Sequence, residues 1–283
     1  IEDDPIRKFM LVSFSNCVRK VSFADQRVSV PVRLNPKRYG ANSVEHRRIK
    51  SRLKQLDNIN VFHKFSEIVE ENITRFKTFE TADTDNCAAR IISSDARKLT
   101  SGINSTTLVK NESIQLVITS PPYAGAQKYI RASSLNIGWL GLANANELLQ
   151  LDKQIIGREN FRKSELKLSN TGIKSADRLI EKINTINPVR ANIVCSYLQE
   201  MKSALNEIIR VLKKDGFLIL IVGNNKVCNE EFNTQEYLSQ YLISKGLKVQ
   251  FKLIDDIKSY GLMTKRNKTA DIISREWILV FKK

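Results

Sequence analysis

Cysteine and histidine are scarce in this chain of 283 residues. The four cysteines lie far apart and form no Cys-x-x-Cys pair, so the sequence predicts neither a zinc site nor a disulfide framework. The two histidines, His46 and His63, both fall in a charged stretch with helical periodicity. Catalysis by a metal ion or by a histidine acid–base group is therefore disfavoured, and no metal ligands are predicted.

Long apolar runs are also missing. No run reaches the roughly 20 residues that a membrane-spanning helix needs, and no signal peptide is visible. We therefore expect a cytoplasmic protein without a membrane partner. With 42% hydrophobic residues, the chain can form a core as one large domain or two small ones. It begins at Ile1 rather than at methionine, as expected for a fragment, a processed form or one piece of a longer protein.

Acidic residues are in deficit. Asp and Glu number 30 against 46 Lys and Arg, which gives a formal net charge of +16. Such an excess favours a polyanionic partner, because cationic side chains that contact phosphates release bound counterions. The alternative is that the proteins of the source organism are basic in general.

The most informative stretch is an apolar segment that ends in two prolines. Residues 116–119 (LVIT) are apolar or β-branched and predict a buried strand. The strand stops at Ser120-Pro121-Pro122-Tyr123, because each proline fixes φ and pushes the preceding residue out of the helical region. At the carboxyl end of a strand, where open α/β sheets bind ligands, this turn would present the Ser120 hydroxyl, a prolyl carbonyl and the Tyr123 ring. The alternative is an ordinary strand followed by a Pro-Pro turn.

The sequence Thr119-Ser120-Pro121-Pro122-Tyr123 resembles the catalytic loop of S-adenosylmethionine-dependent DNA amino-methyltransferases, whose general form is (Asp/Asn/Ser)-Pro-Pro-(Tyr/Phe/Trp). The resemblance implies that Ser120, Pro121, Pro122 and Tyr123 are catalytic. The Ser120 oxygen and the Pro121 carbonyl would accept hydrogen bonds from the target amine, whose nitrogen could then attack the sulfonium methyl group. Tyr123 would stack on a base that has swung out of the duplex.

The serine form of this loop is most similar to the branch that methylates cytosine N4, in a bacterial or archaeal restriction–modification or other defence system. The resemblance implies double-stranded DNA as the partner. Adenine N6 or a base in RNA is the alternative substrate, and a non-catalytic DNA-binding subunit or remnant is a third hypothesis. Methylation at cytosine C5 is disfavoured because no Pro-Cys pair occurs. Glutamine methylation, for which a related loop has Asn in place of Ser120, is mildly disfavoured.

The resemblance also implies S-adenosylmethionine as the cofactor. A predicted short strand at residues 89–93 is followed by an acid, Asp95, which the family often places beside the adenine amine of the cofactor. A second predicted strand, residues 217–222, ends at Gly223, which would lie at the rim of the site. Taken alone, Asp95 is equally suited to cap a helix. The implied cofactor-binding set is Ser94, Asp95, Thr119, Gly223 and Asn224.

Basic and aromatic residues after the catalytic loop are the candidates for DNA contacts. A predicted helix at residues 127–142 carries two of them, and its Trp139 is expected in the core. Residues 144–187 are polar and basic and interrupt the α/β alternation, so we interpret them as an inserted segment that faces the DNA or recognises the target sequence. A solvated helical excursion is the alternative. The implied nucleic-acid-binding set is Tyr129, Arg131, Arg158, Lys265 and Arg266.

The pattern of elements predicts an α/β fold. The resemblance implies a Rossmann-like methyltransferase sheet with helical insertions, partial because its first strands are missing. The predicted division has residues 1–143 and 188–283 as two parts of the methyltransferase core and residues 144–187 as the insertion. The predicted helices start at Pro5, lie as a pair between residues 43 and 79, run from Pro188 to residues 213–216, and span residues 234–245. The resemblance implies that the strands at residues 247–254 and 276–281 form the reversed hairpin that closes the sheet.

The largest departure from the family is the missing glycine-rich cofactor loop. Those enzymes carry a strand followed by a sequence like Asp-Pro-Phe-x-Gly-x-Gly-Thr, but none of the 11 glycines here forms Gly-x-Gly. The resemblance places that half upstream of Ile1. We therefore expect that a second polypeptide carries it, that the sequence is truncated, or that the chain is a non-functional remnant.

Overall fold

The computed structural model describes residues 5–80, 88–125, 128–258 and 273–283. The chain divides into two compact units, each made from two separate stretches. Residues 1–88 and 128–152 form the first unit, and residues 89–127 and 153–283 form the second. Within the described ranges, no helix is both long enough and apolar enough to cross a membrane.

The first unit is helical. Proline in the first turn begins its first helix, and the Ser43 hydroxyl caps the second by accepting a hydrogen bond from the His46 amide at 3.1 Å. These elements confirm the predicted helix from Pro5 and the predicted pair between residues 43 and 79. The helices are α1 (Pro5–Val21), α2 (Val44–Asp57), α3 (Val61–Glu80), α4 (Tyr129–Trp139) and α5 (Ala145–Gln154), and the residues of α5 up to Asp152 belong to this unit.

Helix α1 packs against α3 and α4. These helices and the segment at residues 22–33 line an apolar cavity of about 910 Å³. Trp139 lies on this cavity with 64% of its surface exposed, and its ring meets the Phe14 ring edge-on with 6.4 Å between centroids. The prediction that Trp139 belongs to the core is therefore wrong, because Trp139 lines the wall of this cavity and most of its surface stays accessible.

The second unit contains a four-stranded mixed sheet in the order β1-β2-β6-β5. Strands β1 and β2 are parallel, and a parallel pair needs a crossover connection. The chain between them contains α4 and α5, followed by α6 (Lys174–Ile186) and α7 (Pro188–Val211), which lie in this unit. Strand β6 pairs antiparallel with both β2 and β5. The strands are β1 (Ile114–Thr119), β2 (Leu212–Gly223), β3 (Asn225–Val227), β4 (Glu230–Phe232), β5 (Lys248–Asp256) and β6 (Arg275–Lys282), with α8 (Thr234–Ser244) between β4 and β5.

This sheet confirms the predicted α/β class and the predicted reversed hairpin of the last two strands. The small β3–β4 hairpin was not predicted, because each of its strands has only three residues. The predicted helix over residues 234–245 is also confirmed: α8 ends at Ser244, and Gly246 follows with a φ of +91°.

The two faces of the sheet differ. Alternate residues of β2 and β6, such as Leu220 and Phe281, are fully buried and belong to one core with α6, α7 and α8. The opposite face, here called the open face, is apolar but accessible, with Ile118 62% and Phe251 63% exposed. Cross-strand pairing places nine residues on the open face: Leu116, Ile118, Phe217, Ile219, Ile221, Phe251, Leu253, Ile278 and Val280.

The predicted strand at residues 89–93 is wrong. These residues form no strand, and Ile91 is 75% exposed. A strand is stabilised by hydrogen bonds to a neighbouring strand, and within the described residues the free edge of β1 has no partner. Residues 89–93 therefore lack the strand pairing that would have made them part of the sheet, although the edge of β1 is free among the described residues.

The predicted end of the long helix is also wrong. Helix α7 ends at Val211 rather than at residues 213–216, and β2 begins at the fully buried Leu212. The polar residues that looked like a helix terminus form an irregularity in the β1–β2 pairing, where Asp215 adopts a φ of +62°. Burial of Leu212 against the core favours the strand over a further helical turn.

Candidate active site

The Ser-Pro-Pro-Tyr turn directly follows β1, as predicted. Ser120 is exposed at the carboxyl end of the strand, whereas Pro121 is buried and Tyr123 is half-buried. Ala124, the next residue, is fully buried in the core of the second unit. The turn is thus anchored in the core while the Ser120 hydroxyl stays accessible.

Tyr123 lies against the carboxyl end of β2. Its hydroxyl donates a hydrogen bond to the carboxylate of Glu276, and Glu276 on β6 is the ladder partner of Gly223 on β2. A β-carbon added to Gly223 would lie 3.4 Å from Cε1 of Tyr123 and 2.7 Å from Cγ2 of Ile273. The predicted site residue Gly223 is therefore next to the predicted catalytic ring, and no side chain fits between them.

Two further contacts hold the turn from its other sides. The Asn225 side-chain amide donates to the Ala124 carbonyl at 2.6 Å. Gly157 approaches from the segment after α5, where its φ of +81° favours glycine. A β-carbon on Gly157 would lie 3.6 Å from Cβ of Pro122, in van der Waals contact.

Asp95 lies in a network of charged groups in the same unit. Arg97 donates from Nε and Nη2 to the two Asp95 carboxylate oxygens at 2.9 Å, and it lies 3.5 Å from Glu200. Glu200 in turn accepts a hydrogen bond from the Gly157 amide at 3.0 Å. This chain of contacts connects Asp95 to the segment that packs on Pro122.

The pKa values of the two carboxylates in this network are shifted in opposite directions. Hydrogen bonds from the Arg97 side chain lower the pKa of Asp95, although burial opposes them, so Asp95 is ionised at neutral pH. Burial raises the pKa of Glu200, and the Gly157 amide and the Arg97 charge offset only part of that effect. The network therefore holds one stabilised carboxylate and one that is costly to ionise.

The Asn224 side chain forms hydrogen bonds at the start of α8. Its carbonyl oxygen accepts from the Gln235 amide in the first turn of α8, and its amide donates to the Asn233 side chain, both at 3.1 Å. Asn224 also lines a cavity of about 230 Å³ together with polar side chains of β3, β4 and β6. Both polar atoms of the Asn224 side chain are thus already hydrogen-bonded. A cofactor contact from Asn224, as predicted, would therefore come from its backbone.

The predicted DNA-binding residues are spread over both units. Tyr129 and the exposed Arg131 begin α4 in the first unit. In the second unit, the Arg158 guanidinium pairs with Glu165 at 3.2 Å and lies 3.9 Å from the centre of the Phe161 ring, which leaves little of it accessible. Lys265 and Arg266 lie outside the described residues.

Sequence reasoning missed five residues that shape this site: Arg97, Gly157, Glu200, Asn225 and Glu276. A signal existed for two of them, since Glu276 heads the predicted closing strand and Asn225 follows the predicted Gly-Asn strand end. Arg97 and Glu200 contact each other across 103 positions, so no local pattern could have joined them. Among the described residues, no group of three or more His, Cys, Asp or Glu side chains could hold a metal ion.

No protein-family model and no curated protein matches this chain. Solved structures of a Thermus thermophilus protein, provisionally named a DNA modification methylase, are similar in part. Its selenomethionine derivative gives a TM-score of 0.35 at 18% sequence identity and covers 69% of this chain and 55% of its own. Its complex with S-adenosyl-L-methionine gives 0.31 at 17% identity and covers 62% and 49%. This chain spans about half the length of that protein, and TM-scores this low transfer no function.

Proposed function

We propose that this chain carries the catalytic loop of an S-adenosylmethionine-dependent DNA amino-methyltransferase, with cytosine N4 as the target amine. The main support is the turn after β1, where an exposed Ser120 and a half-buried Tyr123 lie together at the carboxyl end of a parallel strand. Ligand sites of open α/β sheets form outside such strand ends. The sequence of the turn and its position in the sheet thus support the same chemistry.

The turn would act by positioning the amine. The lone pair of an exocyclic amine is delocalised into the base, so the nitrogen is a weak nucleophile. The Ser120 oxygen and the Pro121 carbonyl would accept its two hydrogens and localise the lone pair on nitrogen. Tyr123 would stack on the base once the base has left the duplex. Positioning and electrostatics of this kind need no metal ion.

S-adenosylmethionine would supply the methyl group as a sulfonium electrophile. Asp95 is the proposed acceptor for the adenosyl amine, because its carboxylate is ionised and 42% of its side chain is exposed. The amine would share the carboxylate with Arg97, which donates two hydrogen bonds to each Asp95 oxygen. Ser94 is exposed next to it. Thr119 and the backbone of Gly223 and Asn224 would form the rim nearest the catalytic turn.

The remaining part of the cofactor pocket would come from a polypeptide segment with a glycine-rich turn. The open face supports this part of the proposal, because it exposes contiguous apolar side chains that a soluble protein normally covers. Among the residues that the structure describes, no strand pairs with the outer edge of β1, so its backbone groups are available to a further strand. Such a segment would cover both the face and the edge.

Double-stranded DNA is the proposed substrate, consistent with the net charge of +16. The proposed contacts to the bases or phosphates are Tyr129, Arg131, Lys265 and Arg266. Arg158 is also a proposed contact, although its guanidinium is already paired with Glu165. A bacterial or archaeal restriction–modification system is the proposed setting.

Transfer of radiolabelled methyl groups from S-adenosylmethionine to duplex DNA tests the proposal. The chain is assayed alone and with any polypeptide encoded by an adjacent gene. We expect label in DNA, reduced about 100-fold by Ser120→Ala, the scale on which one preorganised contact acts, and unchanged by Ser203→Ala on α7. Absence of label under both conditions, with DNA binding intact, would indicate a non-catalytic DNA-binding subunit.

A further inference from the structure

Glu276 forms a hydrogen bond with the hydroxyl of Tyr123 at the candidate site. Its carboxylate accepts the Tyr123 hydroxyl hydrogen bond, and hydrogen bonds to an ionised acceptor are among the stronger ones in proteins. The proposed chemistry uses the Tyr123 ring but assigns nothing to its hydroxyl or to Glu276. The contact therefore requires its own explanation.

The carboxylate is held on a rigid element. Glu276 lies near the start of β6, the inner strand that pairs with β2 on one side and β5 on the other. Its backbone is opposite Gly223 in one ladder and opposite Asp255 in the other. Two neighbouring strands thus fix the position from which the Glu276 side chain reaches Tyr123.

A second contact fixes the ring itself. The Cε1 edge of Tyr123 lies against the bare α-carbon of Gly223, where an added β-carbon would be 3.4 Å away. Together with the hydroxyl bond to Glu276, this contact restrains the ring at its edge and at its tip. Restraint at two points limits rotation of the ring plane, which is the surface on which a base would stack.

We propose that Glu276 is a positioning residue that sets the plane of the Tyr123 ring for the target base. The inference rests on the proposed function, because it assigns the ring its stacking role. Glu276 acts through Tyr123 and touches neither the base nor the methyl donor. Loss of its carboxylate lowers kcat for methyl transfer and leaves the affinity for DNA unchanged.

A double-mutant cycle with Tyr123→Phe and Glu276→Ala tests this inference. We expect each change to lower kcat about tenfold, which is within the contribution of one hydrogen bond to a charged group. The double variant loses no more than either single variant, because both remove the same bond. Glu276→Gln keeps an acceptor oxygen and restores most of kcat. If the loss of kcat in the double variant equals the product of the two single losses, the inference is overturned.

A spectroscopic measurement separates this inference from the proposed function. In protein labelled with 3-fluorotyrosine, the Tyr123 signal is assigned as the fluorine resonance that disappears in Tyr123→Phe. We expect Glu276→Ala and Glu276→Gln to shift that resonance and Glu231→Gln, an exposed carboxylate paired with Lys226, to leave it in place. If the wild type transfers no methyl group, the proposed function fails while the resonance still reports the contact. A resonance that does not move in any Glu276 variant would overturn the positioning role.

Discussion

At the scale of single residues, the candidate site depends on a glycine, whose lack of a side chain leaves space for a neighbouring ring. Gly223 leaves room for the Tyr123 ring, and an added β-carbon would come within 2.7 Å of the Ile273 side chain. That approach is closer than real contacts allow, so either Ile273 or the strand must shift.

Gly223→Ala is therefore expected to displace Ile273 and the Tyr123 ring. We expect a loss of about 1–2 kcal/mol in unfolding free energy, as for other overpacked sites, and a clear fall in methyl transfer. Gly138→Ala in α4 is the control, because no atom lies within 4 Å of its added β-carbon and alanine favours a helix over glycine by about 1 kcal/mol. Equal effects of the two changes on urea denaturation would contradict the packing argument.

Glu200 gives a pH dependence with a definite sign. Burial raises its pKa in the folded state above the ordinary value of 4.5, so ionisation of Glu200 costs stability. The native protein has its full stability from this group below the unfolded pKa and loses it as pH rises through the raised folded pKa. Glu200→Gln removes that loss and keeps an oxygen for the Gly157 amide.

We therefore expect the stability of Glu200→Gln relative to the wild type to increase from pH 4 to pH 7. Glu207→Gln on the same helix is the control with the opposite sign, because hydrogen bonds from Arg210 lower the pKa of Glu207. Its variant should be less stable than the wild type at pH 7, with the difference vanishing as pH falls below about 4.5. Urea denaturation at a series of pH values measures both. A Glu200→Gln variant that loses relative stability over this pH range would refute the assignment.

At the scale of elements, the two faces of the sheet predict different responses to the same substitution. Ile118 on the open face is 62% exposed, while Leu220 on the neighbouring strand is fully buried. Exposed positions usually contribute within about 0.5 kcal/mol, whereas truncation of a buried leucine costs about 2–5 kcal/mol.

Ile118→Thr should therefore leave the unfolding free energy nearly unchanged and reduce self-association, because it interrupts an apolar sheet surface. Leu220→Thr should lower the unfolding free energy by about 3 kcal/mol. Denaturation and light scattering check the pair. A large loss of stability in Ile118→Thr would show that this face is covered in the folded protein.

The elements that sequence could predict are those specified by their own residues. Helix α8 and strand β6 are examples, since a capping glycine ends the first and a continuous apolar run defines the second. The strand predicted at residues 89–93 failed because a strand forms only where its backbone pairs with another strand, and the local sequence does not encode that pairing. The prediction for the end of α7 failed for a similar reason, because burial of Leu212 in the sheet outweighs the helix-ending pattern after it.

At the site, the turn at Ser120 was predictable from its motif. The hydrogen bond from Asn225 to Ala124 was not predictable, because it spans 101 positions.

At the scale of the whole molecule, the net charge of +16 predicts how DNA binding should respond to salt. Each phosphate contact contributes about −0.9 to the slope of log K against log salt concentration. We expect a steep negative slope for duplex DNA, and Arg131→Ala should reduce its magnitude by about one contact. Fluorescence anisotropy at several salt concentrations measures the slope. Binding that is insensitive to salt would contradict a role for the charge in DNA recognition.

The proposed function requires that the turn after β1 activates an exocyclic amine for methylation. Identification of the product tests this requirement: DNA is incubated with S-adenosylmethionine, the chain and any polypeptide encoded by an adjacent gene, digested to nucleosides and analysed by mass spectrometry. We predict N4-methylcytosine in the wild-type reaction and its loss in the Ser120→Ala reaction. N6-methyladenine would keep the amine chemistry and change the base, whereas 5-methylcytosine, or N4-methylcytosine that persists undiminished in Ser120→Ala, would contradict the claim.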